Sequence, residues 1–184
     1  MRRQMIAVIG YAHLEEDDRC YQIALELGKT LVENGFRVLT GGLGGVMEAA
    51  LRGARQAENY QEGDTLAILP SFDPAQANPY ADIVIATGTD VYRNGIVANA
   101  DGVIAIGGGA GTLSELSYAW HLCRLILVYR SAGGWSEALA DRRLDGRVRC
   151  EAEDDRIFGV SSPQEAAALL KERLPLYQKR PPRL

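Results

Sequence analysis

The strongest constraint in this sequence is a rhythm. Short apolar runs, "MIAVIG" (5–10), "RVLT" (37–40), "TLAILP" (65–70), "DIVIAT" (82–87), "GVIAI" (102–106), "LILVY" (125–129) and "RIFGV" (156–160), are separated by longer segments, several of helical period. A strand that is apolar at consecutive positions is buried on both faces, and strand–helix alternation requires crossover connections. Together they predict an α/β fold: a Rossmann-like, doubly wound, mostly parallel sheet with helices on both faces. The clearest helix, "DRCYQIALELGKTLVEN" (18–34), lines up Cys20, Ile23, Ala24, Leu27 and Leu31, and Gly35 stops it. Further helices are expected over 46–57, 93–100 and 112–123. A last one is announced by Ser162, Pro163 and Glu165, a cap, a first-turn proline and a capping glutamate.

With 184 residues, 47% of them hydrophobic, the chain is expected to form a single domain over 1–184, with 176–184 a flexible tail. No apolar run approaches the roughly 20 residues of a membrane span. The basic start "MRRQ" and the apolar "MIAVIG" lead at once into Glu15, Glu16, Asp17 and Asp18, so this segment reads as a buried strand and not as an export signal. Three scattered cysteines, Cys20, Cys123 and Cys150, form neither a disulfide framework nor a zinc motif, and fit a cytoplasmic location. His13 and His121 have no metal-ligand spacing, and no metal or cofactor is expected. The net charge of −4 gives nucleic acid little electrostatic support. The basic stretches "DRRLDGRVR" (141–149) and "QKRPPRL" (178–184) read as surface, and 141–155 as a charged loop.

Two glycine loops stand between a strand and a helix: Gly41, Gly42, Gly44 and Gly45 in one, Gly107, Gly108, Gly109 and Gly111 in the other. In a doubly wound sheet ligands collect at the carboxyl ends of the strands, where backbone N–H groups and a helix N-terminus favour an anion. Glycine also serves ordinary tight turns, so both readings stand. Neither loop ends in Gly-Lys-Ser/Thr, and neither fits Gly-x-Gly-x-x-Gly, since Met47 and Thr112 occupy the third-glycine position. Ser114, between Leu113 and Glu115, is no nucleophile elbow. Thr112 and Glu115 have capping-box spacing, which alone would explain both residues.

"GGGAGTLSEL" (107–116) resembles the Pro-Gly-Gly-x-Gly-Thr-x-x-Glu signature of the Lonely Guy (LOG) family, within the Rossmann-like SLOG superfamily. "TGGLGGVMEAALRGA" (40–54) is similar to that family's first glycine loop, and "VYRN" (91–94) lies where it carries a functional arginine. The likeness runs from about Ile6 to Trp135; "ANPY" (77–80) places it near a branch related to molybdenum cofactor carrier proteins. Such proteins were once labelled lysine decarboxylases, but Lys29, Lys171 and Lys179, the only lysines, are not placed to hold pyridoxal phosphate.

LOG enzymes hydrolyse the N-glycosidic bond of nucleoside 5′-monophosphates. The resemblance therefore implies a phosphate held by Gly108, Gly109, Gly111 and Thr112, with Gly42 and Gly44 nearby, and Arg93 and Glu115 as the catalytic pair. A carboxylate would stabilise the positive charge that develops on ribose. The departures are Gly107 for the motif's proline, Ser114 for a usual second glutamate, and Arg93 one residue closer to the glycine loop. The expectation is a phosphoribohydrolase; the alternative is a non-catalytic carrier or sensor of a phosphorylated ligand such as molybdenum cofactor or a signalling nucleotide. The resemblance also implies a homodimer, with the helix bearing Trp120 either in its interface or in the core. A DNA-handling role, known in another superfamily branch, is disfavoured by the acidic balance.

Overall fold

The computed structural model describes residues 2–177. The expected basic tail at 178–184 lies outside them. Seven strands form one sheet: β1 (Met5–Gly10), β2 (Arg37–Thr40), β3 (Thr65–Leu69), β4 (Ile83–Ala86), β5 (Gly102–Ile106), β6 (Leu125–Tyr129) and β7 (Phe158–Val160). Their order is β4-β3-β2-β1-β5-β6-β7, and every pairing is parallel. The central strands β5 and β6 are buried at every position, the reason their sequences are apolar without alternation.

Helices α1 (Arg19–Glu33), α2 (Val46–Ala54) and α6 (Pro163–Arg173) share an apolar layer with Ile6, Val8, Ile104 and Leu127 on one side of the sheet. Helices α3 (Asn94–Val97) and α4 (Ala110–His121) share the opposite layer with Ala7, Ile9, Val103 and Val128. This is the doubly wound arrangement the rhythm predicts. Asp18 starts α1 by accepting the Cys20 N–H at 2.6 Å, and Ser162 caps α6 by accepting that of Glu165 at 3.1 Å. The chain winds outward from β1 through β2, β3 and β4, then returns to add β5 on the other side of β1. The reversal falls between β1 and β5, whose ends are level, Gly10 opposite Ile106.

Three local readings need correction. A helix absent from the sequence reading, α5 (Gly134–Leu139), follows β6. The 141–149 stretch is not all surface: Arg149 is buried, grips Asp155 at 3.0 and 2.6 Å, and lies 3.6 Å over the Trp120 ring. Residues 176 and 177 close a 3-10 turn (Leu174–Tyr177) in which buried Tyr177 donates its hydroxyl to Asp155. A charged sequence disguised this knot because its charges satisfy one another. Trp120 is 2% exposed within this packing, so its role is core.

Candidate functional site

The first glycine loop leaves β2 and enters α2 under tight restraint. Gly42 N–H is bonded to Thr40 Oγ1 at 3.1 Å, its carbonyl accepts the Asn78 N–H at 2.9 Å, and Asn78 Nδ2 donates to the Leu43 carbonyl at 2.9 Å. Gly42 has φ +78°, and a Cβ there would press on Ala67 and Leu69. Gly44 borders a cavity of about 710 Å³ whose lining includes Glu15, Asp17, Asp18 and Glu48. That surrounding is negative, and it repels an anion.

The second loop behaves differently. Gly107 N–H is held by Ser136 Oγ at 2.8 Å, and the Gly107 and Gly108 carbonyls accept the N–H groups of Ser136 (3.2 Å) and Trp135 (3.0 Å). Gly108, at φ +97°, turns the chain where any Cβ would overlap the Thr112 side chain. One flank of the loop is thus pinned by α5. The other is open: Gly109, Ala110 and Gly111 are exposed, and nothing would meet a Cβ on Gly109 or Gly111 within 4 Å.

Helix α4 begins at Ala110 with Gly109 as its cap residue, and no side chain caps it. Leu113 N–H bonds the Gly109 carbonyl at 3.0 Å, which leaves the N–H groups of Ala110, Gly111 and Thr112 without helical partners. The capping-box reading of Thr112 and Glu115 is therefore overturned. The helix starts three residues too early for it, with Gly109 and not Thr112 at the cap, and both side chains turn inward. Thr112 Oγ1 donates to the Gly10 carbonyl at 3.3 Å, which ties the start of α4 to the end of β1.

Glu115 meets Arg93 instead: Arg93 Nη1 donates to Glu115 Oε1 at 2.7 Å, with side-chain exposures of 10% and 8%. Arg93 stands at the junction between a 3-10 turn (Asp90–Arg93) and α3. Its guanidinium packs on the first loop, where a Cβ on Gly41 would stand 2.5 Å from Nη2, and its Nε is buried without a hydrogen-bond partner. Burial pushes the Glu115 carboxyl up to about 7, and the adjacent Arg93 only partly opposes this. A carboxyl balanced near neutrality can hold or release a proton at working pH. Ser114, in the position of the second glutamate, accepts a hydrogen bond from Asn94 Nδ2 at 2.7 Å and donates one to the Gly111 carbonyl at 2.7 Å.

Tyr11 joins the two loops, since its carbonyl accepts the Val46 N–H at 2.9 Å while its ring lies against Gly107. A larger cavity, about 1000 Å³, opens at the amino ends of the strands beside Arg2, Arg3 and Arg124. Those guanidinium groups are engaged by Asp101, Asp64 and Asn99 respectively, so this cavity is not a ready anion site.

Residues 3–167 match the family described as the SLOG cluster4 family. The chain belongs to that family. An uncharacterized protein of Archaeoglobus fulgidus is 41% identical over 120 residues, 65% of this chain and 75% of that protein. The molybdenum cofactor binding protein of Rippkaea orientalis superposes with a TM-score of 0.75 at 30% identity, covering 94% of this chain and 98% of that one. The molybdenum cofactor carrier protein of Chlamydomonas reinhardtii gives 0.73 at 28% identity over 95% and 99%. The SLOG cluster4 chain is thus similar to a molybdenum cofactor binding protein and to a molybdenum cofactor carrier protein. Among the described residues no helix is long and apolar enough to cross a membrane.

The sequence reading did not find Ser136 or Asn78 as site-shaping residues, and it named Gly41 in the first loop without its contact to Arg93. Asn78 lay within the quoted "ANPY", but its clamp on the first loop is a contact across 35 residues, without a local signature.

Proposed function

We propose that this SLOG cluster4 chain binds a phosphorylated small molecule on the second glycine loop and acts as its carrier or sensor. One observation carries the reading: an uncapped α4 N-terminus whose Ala110, Gly111 and Thr112 N–H groups open onto exposed glycine backbone. Gly108 and Gly109 shape the approach, and Gly42 and Gly44 support the neighbouring wall. Molybdenum cofactor, a phosphorylated pterin, and nucleotides both offer the anionic group this cradle suits. The likeness to the cofactor binding and carrier proteins supports a cargo role over turnover.

The buried Arg93–Glu115 pair favours a second reading, a phosphoribohydrolase acting on a nucleoside 5′-monophosphate. The two readings separate in one experiment. Wild type and Glu115→Gln are titrated with AMP and other nucleoside 5′-monophosphates, then assayed for free base and ribose 5-phosphate. Binding without release supports the carrier. Release that vanishes in Glu115→Gln replaces it with the hydrolase. Salt-dependent binding of single-stranded DNA would overturn both small-molecule readings.

We also propose a homodimer. Strand β4 is an edge whose Ile83 and Ile85 remain 43% and 48% exposed, and Tyr92, Ile96 and Tyr118 continue an apolar surface nearby. Ile85→Lys is expected to convert a dimer to a monomer by light scattering; a monomeric wild type would refute the dimer.

A further inference from the structure

The two tryptophans of this chain live in opposite circumstances. Trp120 is 2% exposed, donates Nε1 to Asp145 at 2.9 Å and is covered by Arg149. Trp135 is 39% exposed, belongs to neither apolar layer, and its indole N–H has no hydrogen-bond partner among the described residues.

Its backbone, by contrast, is fixed. Trp135 N–H donates to the Gly108 carbonyl at 3.0 Å. The next residue, Ser136, is fully buried and holds both polar groups of Gly107. The preceding Gly134 lies so near the cradle that a Cβ on it would stand 2.9 Å from the Gly108 nitrogen. A large aromatic plane is therefore carried on backbone that is locked to the open glycine loop, while 39% of the residue stays open to solvent. An indole that only packs the fold would be placed in the apolar layers, as Trp120 is. A half-wet aromatic surface beside an anion cradle is instead suited to a planar ring, with stacking as the attraction.

We propose that Trp135 is the stacking platform for the heteroaromatic ring, nucleobase or pterin, of the ligand whose phosphate occupies the second loop. This rests on the phosphate-cradle reading above. It makes Trp135 a specificity residue, selecting phosphates that carry a flat ring over sugar phosphates alone.

The test uses AMP and ribose 5-phosphate, which share the phosphate and sugar and differ by the base. Both are titrated calorimetrically into wild type, Trp135→Ala and Trp135→Phe, with thermal melts to verify folding. Trp135→Ala is expected to weaken AMP about tenfold and leave ribose 5-phosphate unchanged. Trp135→Phe should restore most AMP affinity. AMP should quench wild-type tryptophan emission but not that of Trp135→Phe. Equal losses for both probes, or an unchanged AMP affinity in Trp135→Ala, would overturn the platform while leaving the cradle intact. Wild type that binds neither probe removes the cradle itself, and the platform with it.

Discussion

The two glycine loops look alike in sequence and differ in what their backbones are free to do. In the first, the N–H and carbonyl of Gly42 and the carbonyl of Leu43 are all engaged inside the protein, and the open side near Gly44 faces carboxylates. In the second, internal bonds hold Gly107 and the Gly108 carbonyl, while three N–H groups at the start of α4 stay available. Glycine is used in the first loop to fit the chain under β3 and against Arg93, and in the second to leave space above it. Changes in the first loop should therefore damage the fold, and changes in the second should damage binding.

The largest expected effect is from Gly42→Val. A β-branched residue at φ +78°, pushed against Ala67 and Leu69, should destabilise the protein by roughly 4 kcal/mol or more. Urea denaturation would register it as a large drop in midpoint. A variant of near wild-type stability would mean that this loop is as yielding as the second.

Next in size is the pH dependence of the pair that bridges the loops. The ordinary value for Glu115 is 4.5, and in the fold it lies at about 7. Between these values the folded protein keeps a proton that the unfolded chain has released, so stability is full below pH 4.5 and falls as pH rises towards 7. Integrated over the window, the loss is on the order of 3 kcal/mol. Asp82 and Asp141 have depressed values, so their contributions are lost only in more acidic solution and do not obscure this one. Denaturation series from pH 5 to 8 should slope downward for wild type and flatten for Glu115→Gln. A flat wild-type series would indicate a fully ionised ion pair throughout.

These two sites also mark what could be read from the sequence. The sheet was legible because each strand is an apolar run, although in the edge strand β4 that run marks exposed apolar surface instead of burial, and the helices because capping residues such as Asp18 and Ser162 act within a few positions. The glycine loops were legible as motifs. Which of their N–H groups remain free was not, since Thr40, Asn78 and Ser136 decide that through tertiary contacts. Thr112-x-x-Glu115 misled for the same reason: the spacing fits a cap, but Glu115 is drawn across to Arg93, 22 residues away. The Arg149–Asp155–Tyr177 knot was hidden because a paired buried charge is spelled like a surface one. The Arg93–Glu115 pair was reachable only through family resemblance.

A smaller effect should follow from Asn78→Ala. It removes the bond to the Leu43 carbonyl and the acceptor for Tyr80 N–H, for about 1–2 kcal/mol of stability. If the first loop is chiefly a wall, phosphate binding should weaken only through this loosening, and AMP at saturating concentration should recover the lost midpoint. A complete loss of binding in a folded Asn78→Ala protein would show that the first loop contacts the ligand itself.

The smallest effect on stability, and the sharpest discrimination, belongs to Gly111→Ala. Gly111 sits in the first turn of α4 with nothing within 4 Å of an added Cβ, and its φ is not positive. Alanine restricts the unfolded chain and suits a helix, so the variant should be more stable by about 0.5 kcal/mol. The same methyl would stand on the open face of the loop, where an anion must approach the Ala110, Gly111 and Thr112 N–H groups. Phosphate and AMP affinity should therefore fall as the melting temperature rises. Opposite signs in one variant cannot come from damage to the fold. A stabilised Gly111→Ala protein that binds AMP as wild type does would move the ligand away from this helix start, and the contrast between the loops would lose its functional meaning.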